Sequence, residues 1–188
     1  IVGEGGKVIG VDMTKEMIAK AEQNNSKLGY KNVEFRFGDI EDLPLANNLA
    51  DVIVSNCVLN LVPDKQKAFS EIYRTLKPGA HFCVSDIVIK GELYPELKKS
   101  GEMYAGCVGG AIQQQDYLNM IKDAGFINTE IKKTKIIELP DDVLLQYLDK
   151  TQLLDYKSSG VGIFSITVVA EKPIDQLKGC CDDSCCKN

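Results

Sequence analysis

The feature that most constrains the fold of this chain is its regular alternation of short apolar segments with amphipathic ones. Residues 7–12 form a β-branched run that predicts a strand, and a helical pattern follows from Thr14 to Leu28. Residues 32–37 and 50–54 have the alternating and continuous apolar patterns of two further strands. Repeated strand–helix units predict an α/β fold with a doubly wound, mainly parallel sheet.

The second half of the chain continues with the same two kinds of segment. Helical patterns cover residues 64–76, 115–124 and 140–148, and strand patterns cover residues 80–89, 127–139 and 163–170. After Pro173 the periodicity ends in a short polar stretch followed by four cysteines. We therefore predict one domain over residues 1–173 and a flexible, cysteine-rich tail over residues 174–188.

Charge and cysteine content restrict the partners and the compartment of this chain. Lys+Arg is 22 against Asp+Glu 27, and Arg36 and Arg74 are the two arginines, so we expect no nucleic acid partner. The longest apolar runs, such as residues 163–170, are shorter than a membrane span needs, so we expect no membrane partner. The first residues contain no export signal, and an odd number of cysteines suits a reducing compartment, so we expect a cytoplasmic protein.

Polar residues follow the predicted strands at the positions where ligands bind in open α/β sheets. Asp12, after the first strand, can accept two hydrogen bonds from a vicinal diol, or it can be a charge at a helix N-terminus. Asp39 can accept from an exocyclic amine while Ile40 covers a base face, or both belong to an ordinary Gly-Asp turn. Residues 55–57 offer amide and main-chain groups to a charged ligand end, or form a loop with a small buried thiol.

Several of these segments resemble motifs of the S-adenosylmethionine-dependent arsenite methyltransferases. The resemblance covers nearly the whole chain and is closest in two runs, residues 56–61 (NCVLNL) and residues 107–111 (CVGGA). The other similar segments are residues 8–14, 38–41, 76–79 and 85–86. The chain therefore resembles the arsenite branch of the class I methyltransferases more closely than the superfamily in general.

This resemblance implies a Rossmann-like class I methyltransferase fold whose last strand is antiparallel, with S-adenosylmethionine as the cofactor. The residues that it assigns to cofactor binding are Asp12 and Met13 at the ribose and adenine, Asp39 and Ile40 at the adenine, and Asn56 at the methionine end. In this family the first strand and its glycine-rich loop precede the segment that corresponds to Ile1, so both are missing from this chain. We expect that strand to lie between those at 7–12 and 50–54, within a longer enzyme.

The cysteines divide by context into predicted ligands and predicted packing residues. Cys107 lies among small residues that leave room for a bulky ligand, and the resemblance implies that it is a catalytic residue that binds the substrate arsenic. We expect Cys83 to pack within its strand, and we interpret Cys57, near the expected cofactor edge, as structural. The tail contains four thiols, Cys180, Cys181, Cys185 and Cys186. We expect them to bind arsenic or a soft metal together, and the alternative is that they only collect adventitious metal.

The resemblance implies methyl transfer to trivalent arsenic presented as a thiol complex, with a thiol reductant as a partner. Arsenic keeps a lone pair when thiolates bind it, so no general base is needed, and we interpret the lone His81 as a surface or edge residue. Residues 158–161 have no cysteine where the family often has another arsenic ligand. Two alternatives therefore stay open: a methyltransferase of a small organic acceptor, and a non-catalytic protein that binds metalloid through its tail.

Overall fold

The computed structural model describes residues 2–93, 97 and 110–174. Strands and helices alternate along these residues, as the sequence predicts for an α/β fold. The strands are β1 (Val8–Asp12), β2 (Val33–Phe37), β3 (Ala50–Asn56), β4 (Leu76–Lys90), β5 (Ile127–Ile136) and β6 (Gly162–Glu171). The helices are α1 (Lys15–Leu28), α2 (Lys65–Thr75), α3 (Gln114–Asp123), α4 (Asp141–Leu144) and α5 (Lys150–Ser159).

The strands form two separate hydrogen-bonded sheets. β1 pairs with β2 in parallel, and the other sheet has the order β3-β4-β6-β5. β3 and β4 are parallel, whereas β6 is antiparallel to both β4 and β5. The antiparallel last strand is thus confirmed, and the sheet of the described residues is mixed. Within the same residues β1 and β3 share no ladder, and the expected strand between them stays a prediction.

Local sequence signals set the helix boundaries. The Asp64 side chain caps α2 by accepting a hydrogen bond of 2.9 Å from the Lys67 backbone N–H. Thr14 precedes α1 as predicted, but its side chain makes no capping hydrogen bond. The Thr14 backbone N–H instead donates to Asp12 Oδ1 at 2.7 Å, which ties the start of α1 to the end of β1.

The largest differences between the predicted and the observed elements concern β4, α4 and α5. β4 begins at Leu76 rather than at residue 80, because Leu76 already pairs with Ala50 before the register shifts. The helix that begins after Pro140 ends at Leu144, four residues early. The helix α5 was absent from the sequence prediction, although Asp149 and Gln152 form a complete capping box at its start.

The core lies between the four-stranded sheet and the helices α2 and α3. Its aromatic centre joins these elements through edge-to-face contacts, with ring centroids 5.3 Å apart for Phe69 and Tyr117 and 4.7 Å apart for Phe82 and Phe126. A second apolar cluster packs Leu144 against the far end of β4 and the start of β6. Among the helices that the structure describes, none is both long enough and apolar enough to cross a membrane.

A buried lysine ties the end of β6 to the start of β4. The Lys172 side chain donates hydrogen bonds to the carbonyl oxygens of Tyr73 and Leu76 at 2.9 and 2.8 Å and to Asn48 Oδ1 at 2.7 Å. Two residues later, Ile174 lies against Gly79, where a Cβ atom would come within 3.2 Å of it. The described chain therefore ends beside the amino-terminal ends of β3 and β4.

Candidate functional site

The parallel pairing of β1 and β2 brings two predicted cofactor segments together. The register places Asp12 opposite Phe37, and the Gly38 backbone N–H donates to the Asp12 carbonyl oxygen at 3.0 Å. Gly38 is needed at this turn, because a Cβ atom there would lie 2.5 Å from Pro44 Cδ. Asp12 and Asp39 therefore follow adjacent strand ends on the same edge of the sheet.

Each of these two aspartates holds a turn and keeps an oxygen available. Asp12 Oδ1 accepts from the Thr14 N–H, and Asp39 Oδ1 accepts from the Glu41 N–H at 2.9 Å. The Oδ2 atom of each carboxylate makes no hydrogen bond to any residue that the structure describes. The structural and ligand-binding interpretations of both aspartates are thus compatible.

The two apolar residues assigned to the cofactor have different surroundings. Met13, directly after Asp12, is 67% exposed, so its side chain is accessible beside the carboxylate. Ile40, directly after Asp39, is half-buried and packs against the main core. Ile40 therefore fixes its turn to the core, whereas Met13 is available for a ligand contact.

The end of β3 forms a strained turn that carries an amide and a thiol. Asn56 is exposed, and Cys57 follows it with φ 57°, a left-handed conformation that costs a non-glycine residue about 1–2 kcal/mol. The Cys57 backbone N–H donates to the Ser85 carbonyl oxygen at 2.8 Å, and its Sγ lies 3.8 Å from Asn56 Oδ1. A half-buried thiol at a strand's carboxyl end is compatible with both interpretations of Cys57, the structural one and the ligand-binding one.

Polar contacts attach the loop after β2 to helix α2. Glu41 Oε1 accepts from the Asp64 N–H at 2.9 Å, and Glu71 Oε2 accepts from the Leu43 N–H at 2.8 Å. Arg74 donates to Glu71 and to the carbonyl oxygens of Leu43 and Leu45 at 3.0 and 2.8 Å. The hydrogen bond from Arg74 lowers the pKa of Glu71 against the opposing effect of burial. These contacts connect the Asp39–Ile40 turn to the loop that follows β3.

A buried polar cluster lies behind the β3 turn. Asn60 is 2% exposed, and its side-chain amide forms hydrogen bonds with the backbone N–H and carbonyl oxygen of Ile87. Asp86 Oδ2 accepts a hydrogen bond from the Tyr117 hydroxyl at 2.6 Å. Burial raises the pKa of Asp86 to about 6, against the hydrogen bond from Tyr117, the nearby Asn60 backbone and the charge of Lys65. The sequence reasoning missed this cluster. The signal was a polar residue, Asn60, inside an apolar run.

Comparison with known proteins decides the family. The methyltransferase domain family matches residues 1–125, which is more than half of the chain. The chain belongs to this family. Residues 1–125 include β1 and β2 with the turns that follow them, and also the turn at the end of β3.

This methyltransferase domain is also similar to curated and solved proteins. The arsenite methyltransferase of Halobacterium salinarum is 38% identical over 172 residues, covering 92% of this chain and 42% of that protein. The arsenite methyltransferase of Aquipseudomonas alcaligenes is 39% identical over 155 residues, covering 79% of this chain and 45% of that protein. The chain thus spans less than half the length of these two relatives.

A solved structure supports the same relationship. The arsenic (III) S-adenosylmethionine methyltransferase from Chlamydomonas reinhardtii superposes with a TM-score of 0.72 at 31% sequence identity. The superposition covers 94% of this chain and 58% of that chain. The Rossmann-like fold expected from the resemblance is therefore confirmed for this methyltransferase domain.

The thiols of the methyltransferase domain are only partly described. Cys57 and Cys83 lie within the described residues, both half-buried, whereas Cys107 lies outside them. The four tail cysteines, Cys180, Cys181, Cys185 and Cys186, also lie outside them. In the part of the chain that the structure describes, no group of three or more His, Cys, Asp or Glu residues is arranged to hold a metal ion.

Proposed function

We propose that this methyltransferase domain takes part in methyl transfer from S-adenosylmethionine to thiol-bound trivalent arsenic. The observation that carries the proposal is that Asp12, Asp39 and the Asn56–Cys57 turn each follow the carboxyl end of a parallel strand, in a chain whose relatives include arsenite methyltransferases. The reaction joins a sulfonium donor to a thiophilic acceptor. Carboxylates and an amide suit the donor, and a thiol suits the acceptor.

The strand-end residues fit the cofactor in chemistry and accessibility. The Oδ2 atoms of Asp12 and Asp39 are available to accept from the ribose hydroxyls and from the adenine amine. Met13 offers an exposed apolar surface, and the exposed Asn56 amide suits the charged methionine end. When bound, S-adenosylmethionine supplies an electrophilic sulfonium methyl group. The chain's own residues bind and orient the donor.

The acceptor proposal depends on thiolates as soft donors. Cys57 lies at the carboxyl end of β3, and Cys107 is the second thiol that we assign to arsenic. Thiolate-bound trivalent arsenic keeps a lone pair, so the protein must bring the two reactants together but does not need a general base. His81 agrees with this requirement, because it is exposed and pairs with Val52 within β3 rather than with the residues of the β3 turn.

We propose that a small thiol presents arsenite to the domain, with a thiol reductant present in the compartment. A cytoplasmic location follows in this proposal, because a reducing cytosol keeps cysteines available as ligands. The tail cysteines 180–186 would capture arsenic or a soft metal. If so, removal of residues 174–188 should raise the arsenite concentration needed for half-maximal rate and leave the saturated rate nearly unchanged.

The decisive experiment is a methyl-transfer assay on the full-length protein with S-adenosylmethionine, arsenite and excess thiol, read by the mass of methylated arsenic. We expect product, and we expect the variants Cys57→Ser and Cys107→Ser each to lose at least about tenfold in rate, because serine is a hard, weak ligand for arsenic. Cys83→Ser is the matched control, since Cys83 lies within β4 away from the strand ends. Its rate should stay close to that of the unmodified protein.

Two other results would replace the proposal. Binding of S-adenosylmethionine without any arsenic product, together with methylation of an organic acceptor that survives Cys107→Ser, would establish a small-molecule methyltransferase. Tight arsenite binding without any cofactor binding would establish a non-catalytic metalloid-binding protein. Calorimetry with each ligand separately distinguishes these two results.

A further inference from the structure

The side chain of Asn60, in the loop between β3 and α2, bonds to β4 in the place where a neighbouring strand would bond. Its Nδ2 donates to the Ile87 carbonyl oxygen at 2.7 Å, and its Oδ1 accepts from the Ile87 N–H at 2.8 Å. These are the two hydrogen bonds that a neighbouring strand would make to a β4 residue. The side chain is 2% exposed, so both bonds are shielded from water. Asn60 therefore satisfies a buried backbone unit that β3 does not reach.

The Asn60 side chain contacts β4 at a point between two backbone segments that also bond to β4. β3 pairs with β4 as far as Ser85, where the Cys57 N–H donates to the Ser85 carbonyl oxygen. Beyond Ile87, the Ile89 N–H donates to the Ile112 carbonyl oxygen at 2.9 Å. The Asn60 amide thus fills the interval between the β3 turn and the segment that contains Ile112.

The Asn60 backbone also lies against Gly110, two residues before Ile112. A Cβ atom on Gly110 would lie 1.6 Å from the Asn60 carbonyl oxygen, so no residue other than glycine fits without backbone movement. The same carbonyl oxygen accepts from Lys65 Nζ at 3.4 Å. Asn60 is therefore held from both its side chain and its main chain.

We infer that Asn60 is a positioning residue of the proposed methyl-transfer site: it holds the Asn56–Cys57 turn in its left-handed conformation and sets the distance from that turn to Gly110. This inference rests on the proposed function. The turn needs such a restraint, because Cys57 has φ 57° without being glycine. Asn60 acts through the turn and does not itself touch the reactants.

The variant Asn60→Asp tests the donor half of the interaction. At about pH 8 the introduced carboxylate can accept from the Ile87 N–H but cannot donate to the Ile87 carbonyl oxygen, and the two oxygens repel. We expect S-adenosylmethionine affinity to fall about tenfold and Cys57 alkylation, measured by peptide mass, to become about threefold or more faster. Asn119→Asp, an exposed change on α3, is the control.

Acid rescue separates positioning from a general loss of structure. A protonated carboxyl has one donor and one acceptor, as the amide does. Burial raises the pKa of a carboxyl above its ordinary value, as it does at the neighbouring Asp86, so lowering the pH to about 5 should restore much of the lost affinity relative to the control. The charged and titratable groups around Asn60 are Lys65 on α2, Asp86 on β4 and Tyr117 on α3. The same groups are present in the unmodified protein and in Asn119→Asp, so the pH response of these two proteins measures the background titration.

The variant Gly110→Ala tests the other side of Asn60 without removing its side chain. The added methyl group must displace the Asn60 carbonyl oxygen, so we expect faster Cys57 alkylation and a lower maximal rate. Gly5→Ala is the control, because a Cβ atom there meets nothing within 4 Å. This variant decides the matter if Asn60→Asp fails to fold by circular dichroism.

Unchanged cofactor affinity and unchanged Cys57 alkylation in the folded variants would overturn the positioning role. Losses in Asn60→Asp that persist at low pH would overturn it too, because they indicate general damage to the core. If the unmodified protein binds no S-adenosylmethionine, the proposed function fails instead. The alkylation comparison needs no cofactor and still tests whether Asn60 holds the turn.

Discussion

The β1–β2 unit and the four-stranded sheet differ in how they bury their side chains. In α1, β1 and β2, all of which the structure describes, no side chain is fully buried. The four-stranded sheet and its helices contain both apolar clusters, which begin in sequence with Leu59. The first unit nevertheless carries four of the five residues assigned to the cofactor.

This difference in burial indicates which contacts stabilise the candidate site. The β1–β2 unit has little core of its own, and the contacts of Glu71 and Arg74 attach its loop to the better-packed part. Polar contacts of this kind each contribute about 0.5–1.5 kcal/mol, less than a buried aromatic ring contributes. The geometry of the cofactor residues therefore depends on a few polar attachments to α2 and on the packing of Ile40 against the main core.

The largest expected effect contrasts a phenylalanine from each region. Phe82 is fully buried, so Phe82→Ala should cost about 3–5 kcal/mol of unfolding free energy, whereas Phe37→Ala should cost below about 1 kcal/mol. Phe37 is 56% exposed at the end of β2. Urea unfolding followed by circular dichroism measures both. Similar losses for the two variants would show that the β1–β2 unit is packed as well as the rest.

The second expected effect concerns the buried carboxyl of the four-stranded region. The pKa of Asp86 is about 6 in the folded protein, above its ordinary value of 3.8, so the folded state holds the proton more tightly than the unfolded state. Stability contributed by the protonated form is therefore lost as pH rises from about 4 to 6 and stays lost above that range. Asp86→Asn removes this loss.

The test of Asp86 compares urea unfolding of both proteins at about pH 5 and about pH 7.5. The stability of Asp86→Asn relative to the unmodified protein should increase by about 1–1.5 kcal/mol between these two pH values. Asp116→Asn on the outer face of α3 serves as the control for net charge. A difference that is independent of pH would contradict the raised pKa.

The third expected effect detaches the β1–β2 unit. Arg74→Ala removes the bonds to the Leu43 and Leu45 carbonyl oxygens and leaves Glu71 without its guanidinium, so we expect a loss of about 1–3 kcal/mol. Hydrogen exchange should become faster over residues 39–49, and the affinity for S-adenosylmethionine should fall. Lys77→Ala breaks an exposed ion pair with Asp51 and should change neither readout appreciably.

The smallest expected effect lies at the helix that the sequence prediction missed. Asp149 caps α5 by accepting from the backbone N–H groups of Thr151 and Gln152, each at 2.8 Å. Asp149→Ala should cost about 1 kcal/mol, while the exposed Asp155→Ala on the same helix should cost less. Equal thermal midpoints for the two variants would argue against the capping box as a source of stability.

Most of the fold could be predicted from the sequence because strand and helix periodicities are local signals. The predicted strands at 7–12, 32–37 and 50–54 all exist, with ends within two residues of the observed ones. Helix α5 was missed because its apolar residues do not form one face, and only its cap marks it. The early start of β4 depends on pairing with Ala50, which no local pattern contains.

The candidate site was predictable where its residues follow strands directly. Asp12 and Asp39 were identified because a strand's carboxyl end can be located from the sequence. The roles of Asn60 and Asp86 could not be predicted, since their contacts join residues 27 and 31 positions apart. The backbone contact of Cys57 with Ser85 likewise joins residues 28 positions apart, and the structural interpretation of the Cys57 thiol stays a prediction.

The Lys172 contacts limit how far the tail can reach. They place the departure point of the chain beside Gly79, at the amino-terminal ends of β3 and β4, whereas Asn56 and Cys57 lie at the other end of β3. The seven steps from Ala50 to Cys57 span about 23 Å, and the six residues from Ile174 to Cys180 extend at most about 22 Å. The first tail thiol can therefore approach Cys57 along the sheet only with its tether almost fully extended. Cys185 and Cys186 lie eleven and twelve residues after Ile174, so they are the tail thiols that reach the β3 turn with slack.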